Sequence, residues 1–298
     1  MNDLTRGQRP LLGLALAGTA YGLFALQDAV VKWLVASYSV PQILFMRSLV
    51  IIAVAVAIGG APAVTNVGSS RAFPVLIARS VLILAAWLTY YYAARTLGLA
   101  ELTTLYFVAP IIVVLQAALL LKERVTRGRW LAVVVGFAGV AIAAGPASPG
   151  SIVPVFLVLF AATCWASSMV LTRVANRTDT STSQMVVSNA IFALACAAAL
   201  PFLWVTPSWS ALGLMLFLGV AGGLAQFALF ESYRFALASV IAPIEYTALV
   251  WAFVLGYLIW SDIPAPQVFL GAACIVGTCL ALVWSESRTL ARARPAGQ

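Results

Sequence analysis

The 298-residue chain has no histidine and few charges of either sign. Charged residues make up 9% of it, whereas an ordinary soluble domain carries about 25%. So few charges cannot cover a surface that faces water, which argues against a soluble protein. The hydrophobic share of 63% and the mean hydropathy of +1.03 instead indicate that much of the chain is surrounded by lipid.

The residues on which many enzymes and metal sites depend are also missing. Without histidine there is no His–Cys metal spacing and no histidine proton relay. The sequence has no CxxC pair, no phosphate-binding P-loop and no DxxxD carboxylate motif. The four cysteines all fall in apolar stretches, where small packing residues are expected. We therefore expect no enzyme activity, no cofactor, no metal and no nucleic-acid partner.

Long apolar runs are what the chain has in abundance. Their continuous Leu, Val, Ala and Phe content lacks the alternation of a membrane β-strand, and each is about long enough to cross a bilayer as a helix. The first run is too long for the core of a cleaved signal peptide, so none is expected. The ten predicted spans lie near residues 11–36, 40–59, 73–95, 99–121, 129–145, 152–175, 183–205, 210–235, 238–260 and 266–285.

Positive charge is distributed unequally between the two sides that these spans imply. If the N-terminus is cytoplasmic, the cytoplasmic segments include Arg6, Arg9, Arg71 and the LKERVTRGR loop. The connections GPASPGS, TPSW and SDIPAP on the other side contain neither lysine nor arginine. The positive-inside rule then predicts a multi-pass protein of a bacterial-type inner membrane with both termini in the cytoplasm.

The chain also resembles itself, since Tyr21 aligns with Trp165 and Gly139 with Gly277. Each copy holds five spans, an odd number, so the second copy would enter the membrane from the opposite side. Inverted repeats of this kind are typical of transporters. The predicted division is a cytoplasmic tail at 1–10, a first repeat at 11–145, an external linker at 146–151, a second repeat at 152–285 and a cytoplasmic tail at 286–298.

These features resemble the drug/metabolite transporter superfamily, EamA type. The resemblance rests on the two five-span halves, the aromatic residue in the first span of each, Arg47 in the second span, and the LLLKERVT run after Pro110. The Tyr21 and Trp165 pair and the aromatic-rich centre are similar to YddG-type aromatic amino acid exporters. The resemblance implies an all-α integral membrane protein with ten transmembrane helices in two inverted five-helix repeats. Where the first half reads KERVT, the second reads WSDIP, which departs from that pattern.

Asp28 and Lys32 stand one helical turn apart inside the first span. An ionised group in the bilayer centre costs about 2.5–3.5 kcal/mol, so we expect the two side chains to neutralise each other. Charges within spans are expected to form an outer and an inner gating layer around a mostly uncharged, aromatic middle. The predicted polar and gating residues are Asp28, Lys32, Arg47 and Glu101 in the outer layer, and Arg79, Glu231 and Glu245 in the inner layer.

Aromatic residues near the middle of the spans are the candidates for substrate binding. Aromatic walls favour flat apolar solutes by stacking and attract a cationic amine. Pro110 and Pro243 are expected to kink their helices and free a backbone carbonyl. The predicted substrate-binding residues are Tyr21, Tyr90, Tyr106, Phe107, Trp165 and Tyr246.

The predicted function is secondary transport of small metabolites by alternating access, with aromatic amino acids favoured. Other metabolites or lipophilic drugs, including cations like S-adenosylmethionine, are the alternative because they offer the same chemistry. A membrane enzyme and a channel are more remote alternatives, and saturable counterflow would distinguish a carrier from a channel. The sequence leaves the direction and the proton coupling open. A monomer is expected, because ten spans in two repeats can enclose a pathway within one chain.

Overall fold

The computed structural model describes residues 10–65, 73–109, 111–112, 116, 127–144, 152–175, 179–235, 244–245 and 247–293. Across these ranges the backbone is α-helix joined by turns and extended loops, with no β-strand, so the expected all-α class is confirmed there. The helices are α1 Pro10–Leu34, α2 Val40–Gly59, α3 Pro62–Thr65, α4 Phe73–Ala93, α5 Leu99–Tyr106, α6 Arg127–Ala144, α7 Ile152–Ala175, α8 Ser181–Ala197, α9 Leu200–Leu203, α10 Trp209–Phe235, α11 Thr247–Trp260 and α12 Pro266–Ala293.

Two of the helices begin at side-chain caps. The Ser39 hydroxyl accepts a hydrogen bond from the backbone N–H of Gln42 at 3.4 Å, and this starts α2. The Thr180 hydroxyl accepts one from the backbone N–H of Ser183 at 3.3 Å, and this starts α8. Each cap satisfies a donor that the first helical turn would otherwise leave free.

Four described helices are long and apolar enough to cross a membrane by length and composition: Leu11–Leu34, Val40–Gly59, Phe73–Ala93 and Trp209–Ser232. Shorter apolar helices follow at Val134–Ala143, Ile152–Ser168, Ser181–Ala197, Thr247–Trp260 and Pro266–Thr278. The number of ten spans and their inverted arrangement stay predictions. The fourth and ninth predicted spans, 99–121 and 238–260, run in part through residues outside the described ranges.

The helices pack in pairs that correspond between the two predicted halves. α1 packs against α10, and α4 packs against α7. In the predicted repeat α1 corresponds to α7 and α4 to α10, so these two contacts are equivalents of each other. α2 packs against α8 and α6 against α12, which are again corresponding helices. The buried core therefore lies largely between the halves rather than within each one.

Candidate functional site

A cavity of about 100 Å³ lies where α1, α4, α5, α7, α10 and the start of α11 meet. The residues that line it are Tyr21, Phe24, Asp28, Ala86, Trp87, Tyr90, Thr103, Tyr106, Phe107, Trp165, Leu229, Glu245 and Ala248. The lining comes from helices of both predicted halves. A movement of one half against the other would therefore change the shape of this cavity.

Four aromatic rings form a closed circuit along one wall of the cavity. Trp87 and Tyr90 on α4 have ring centroids 6.3 Å apart, and Tyr90 lies 5.2 Å from Tyr106 on α5. Trp165 on α7 completes the circuit, 6.5 Å from Tyr106 and 6.3 Å from Trp87. All four contacts are edge-on or tilted, which is the preferred arrangement of neighbouring aromatic rings. The wall is thus a packed unit drawn from three helices.

Two carboxylates line the same cavity. The Tyr90 hydroxyl donates to Oδ2 of Asp28 at 3.3 Å, while Oδ1 of Asp28 is buried with no hydrogen-bond partner in the described part of the chain. Glu245 lies in the same lining, near the hydroxyl of Tyr21. Among the described residues no lysine or arginine lies within 4 Å of either carboxylate. A buried carboxylate is costly unless it is paired, so this cavity suits a ligand that brings a positive charge.

The expected pairing of Asp28 with Lys32 is wrong. The Lys32 ammonium donates to the backbone carbonyl of Leu97 at 2.9 Å and lies 3.8 Å from the Asp262 carboxylate. Asp28 instead accepts a hydrogen bond from the Tyr90 hydroxyl. Spacing of i and i+4 allows two side chains to meet, but Lys32 instead contacts acceptors in two connections between helices, at Leu97 and Asp262.

The expected uncharged middle is also wrong, because Asp28 and Glu245 both line the aromatic cavity. The sequence had assigned them to opposite layers. Counting residues along a span gives the position of a residue within its own helix. It does not show where separate helices meet, and that meeting point sets which side chains share a cavity.

Arg47 and Arg79 are buried within the bundle, 3% and 1% exposed. The Arg47 guanidinium donates to Oε1 of Gln27 through Nε and Nη2 at 3.4 and 3.2 Å, and it lies 4.7 Å from the ring centroid of Trp87. Arg79 donates to the hydroxyl of Ser188 on α8 at 3.5 Å. Arg47 thus packs against Trp87, which lines the cavity, whereas Arg79 links α4 to α8 by a hydrogen bond.

The two remaining predicted gating acids lie outside the cavity lining. Glu101 is half-buried in the first turn of α5, where its charge interacts with those of Lys32 and Asp262. Glu231 is half-buried near the end of α10.

The structure brings together five of the predicted substrate-binding residues: Tyr21, Tyr90, Tyr106, Phe107 and Trp165. Tyr246 and the two expected kink residues, Pro110 and Pro243, lie outside the described residues. The amino-acid sequence did not identify Phe24 and Thr103 as lining residues, nor Asp262 as the partner of Lys32. Helical spacing would have found Phe24, because Tyr21, Phe24 and Asp28 stand at i, i+3 and i+7 on one face of α1.

A sequence model of the EamA-like transporter family matches residues 11–145 and 152–284. The chain belongs to this family. The resemblance to the EamA type is therefore confirmed, whereas the narrower likeness to YddG-type exporters stays a prediction. Family membership makes this chain a membrane transporter of the drug/metabolite transporter superfamily.

Three curated relatives are named as transporters of small molecules. An S-adenosylmethionine uptake transporter of Rickettsia felis is 25% identical, over 75% of this chain and 76% of its own. The pseudopaline exporter CntI of Pseudomonas aeruginosa is 27% identical over 91% and 95%. A riboflavin transporter of Vibrio cholerae is 29% identical over 70% and 69%. This EamA-like chain is accordingly a transporter of small metabolites.

A solved crystal structure of a protein has the same fold. It superposes with a TM-score of 0.65 and covers 94% of this chain and 97% of its own, at 20% identity. At that identity the likeness supports the fold alone.

Proposed function

We propose that this EamA-like protein is a secondary transporter that carries small metabolites with a positively charged group across a bacterial inner membrane. Transport would proceed by alternating access around the aromatic cavity. The observation that carries this proposal is the combination of a four-ring aromatic wall with two carboxylates, Asp28 and Glu245, in one cavity between the predicted halves.

The chemistry of the cavity favours a ligand with two parts. Aromatic faces bury flat or apolar groups and attract cations, so they suit an apolar body beside an ammonium or sulfonium group. The carboxylates of Asp28 and Glu245 supply the negative charge that such a cation needs. Neither feature alone selects this class. An uncharged ligand would leave Asp28 with only the charge of Arg47 nearby, and it would leave Glu245 without a positive partner among the described residues.

Two groups of substrates fit this description. Aromatic amino acids carry an ammonium group beside a flat side chain, and they are the class that the sequence favoured. Cations such as S-adenosylmethionine form the second group, which the name of the Rickettsia relative supports. None of the three relatives described above is named for an aromatic amino acid, so the two groups are tested with equal weight.

The packing of the helices supports a carrier that works by rocking. The equivalent contacts of α1 with α10 and of α4 with α7 lie between the two predicted halves, and the cavity lies between the same helices. Two pseudo-symmetric halves can move against each other around a central site.

The test is counterflow into proteoliposomes that are preloaded with unlabelled substrate. Labelled tryptophan and labelled S-adenosylmethionine are supplied outside in parallel experiments. We expect uptake of at least one compound to be stimulated by the same compound inside. If folded protein gives no stimulated uptake of either compound, both groups are removed and uncharged metabolites become the candidates.

We expect Trp165→Ala to raise the half-saturating concentration of the transported compound about tenfold, because it removes one ring of the circuit. Trp209→Ala is the matched control, since Trp209 is 89% exposed at the start of α10 and lies outside the cavity. Equal effects of the two variants would contradict the aromatic site.

We expect Asp28→Asn and Glu245→Gln to weaken binding of a cationic substrate while the aromatic wall stays in place. Asp179→Asn is the control, because Asp179 precedes α8 and does not line the cavity. Binding is followed by the quenching of tryptophan fluorescence in detergent. Unchanged affinity in both cavity variants would show that the carboxylates do not select the substrate.

A further inference from the structure

One end of the helical bundle is held together by polar contacts that lie outside the cavity. It is the end at which α1 finishes, α5 begins and α11 finishes. The Lys32 ammonium donates to the carbonyl of Leu97 at 2.9 Å and lies 3.8 Å from the Asp262 carboxylate. It also lies 5.3 Å from the ring centroid of Trp260. We call these contacts among Lys32, Leu97, Trp260 and Asp262 the latch.

Gly98 gives the latch the space it needs. A Cβ atom at Gly98 would collide with the carboxylate of Asp262. The backbone of Gly98 is at φ −61° and ψ 151°, which any residue adopts, so the glycine is required here for space and not for conformation. The Asp262 carboxylate can therefore lie directly against the chain at the start of α5.

A small apolar layer lies between cavity residues and latch residues in order along three segments of the chain. It contains Ala29, Leu99 and Ala252, which are 4%, 1% and 2% exposed, with Leu255 and Trp260 packed against it. In α1 the order is Asp28 of the cavity, Ala29 of the layer and Lys32 of the latch. At the start of α5 the same order is Thr103, Leu99 and Leu97. In α11 it is Ala248, Ala252 and Trp260.

The latch joins the two predicted halves. Lys32 and Leu97 belong to the first repeat, whereas Trp260 and Asp262 belong to the second. The side chains of Lys32 and Asp262 are 16% and 35% exposed, so water competes for this ion pair and its contribution to stability is modest. A contact that is weak and lies between moving halves is suited to being broken and remade in each cycle.

We propose that the latch is the gate that closes this end of the cavity, and that transport requires it to break when the cavity opens there. The inference rests on the proposed alternating-access function and adds the residues that hold one of its closed states. Asp262 acts here as a positioning residue, since it is outside the cavity lining. By the predicted orientation, this end faces the outside of the cell.

The test measures access to the cavity from each side of the membrane without any substrate. A reporter cysteine replaces Ala248 in the cavity lining, after Cys164, Cys196, Cys274 and Cys279 have been changed to alanine. A membrane-impermeant maleimide is added to right-side-out and to inside-out vesicles, and the labelling rates are compared.

We expect Lys32→Gln and Asp262→Asn each to raise the labelling rate about tenfold from one side only, because each removes a charge-assisted contact. The exchange of Lys32→Asp with Asp262→Lys should bring the rate back toward its starting value. Gly98→Ala should imitate Asp262→Asn by displacing the carboxylate. Gly18→Ala in α1 is the control, since a Cβ there has no atom within 4 Å.

The proposed gate would be overturned if labelling is unchanged in Lys32→Gln, Asp262→Asn and Gly98→Ala while each protein stays monodisperse. An equal rise from both sides would also overturn it, because general loosening of the fold has that effect. Counterflow is read separately. If counterflow disproves the proposed transport function, the labelling result still stands. If labelling disproves the gate, the counterflow result still stands.

Discussion

Tyr90 and Tyr91 are neighbours in α4, and both side chains are buried, but their hydroxyl groups are placed very differently. The Tyr90 hydroxyl donates to Asp28, whereas the Tyr91 hydroxyl has no hydrogen-bond partner among the residues that the structure describes. A hydrogen bond to a charged group stabilises a fold, and a buried hydroxyl without a partner destabilises it. The same substitution at the two positions should therefore have opposite consequences.

We expect Tyr90→Phe to lower the free energy of unfolding by about 1–3 kcal/mol, since it leaves the carboxylate of Asp28 without its donor. Tyr91→Phe should leave the stability unchanged or raise it. Thermal unfolding followed by intrinsic fluorescence in one detergent compares the two variants directly. If Tyr91→Phe loses more stability than Tyr90→Phe, the expectation is wrong, because the Tyr91 hydroxyl must then form a stabilising hydrogen bond.

At the scale of elements, the close approach of α10 to both α1 and α2 at the buried arginine depends on the missing side chain of Gly222. A Cβ at Gly222 would collide with the carboxamide oxygen of Gln27 and would lie 3.3 Å from Nε of Arg47. That oxygen is the acceptor for the buried Arg47 guanidinium. The three helices therefore meet at a polar contact that leaves no space for a methyl group.

We expect Gly222→Ala to lower the free energy of unfolding by about 1–3 kcal/mol, because the new methyl group displaces Gln27 from Arg47. Gly213→Ala in the same helix is the matched control, since a Cβ there has no atom within 4 Å. Alanine favours a helix over glycine by up to about 1 kcal/mol, so the control should be neutral or stabilised. Denaturation of both variants under the same conditions decides between these outcomes.

At the scale of the whole molecule, the predicted orientation places both termini in the cytoplasm and the connection that contains Asp262 outside. In a background without natural cysteines, Ile263→Cys should react with an impermeant maleimide in intact cells, because Ile263 is 75% exposed. Ala296→Cys in the C-terminal tail should react only after the cells are permeabilised. The reverse pattern would show that the molecule is inserted the other way round.

The amino-acid sequence by itself determined the class of this protein. Scarce charge and long apolar runs require lipid, and helices are the structures that satisfy their own backbone hydrogen bonds there. The aromatic residues Tyr21, Tyr90, Tyr106, Phe107 and Trp165 could be selected from sequence by their positions within the predicted spans, with Tyr21 and Trp165 in corresponding spans of the two halves. These properties depend on composition and on spacing along single helices.

Only the tertiary structure decided which polar groups meet. Asp28 was expected beside Lys32, but Asp28 lies against Tyr90 and Lys32 against Asp262, which is 230 positions further along the chain. The energy of a charge in an apolar bundle depends on the donors and acceptors within a few ångströms. Those neighbours come from other helices, so the spacing within one helix could not identify the cavity carboxylates or the latch.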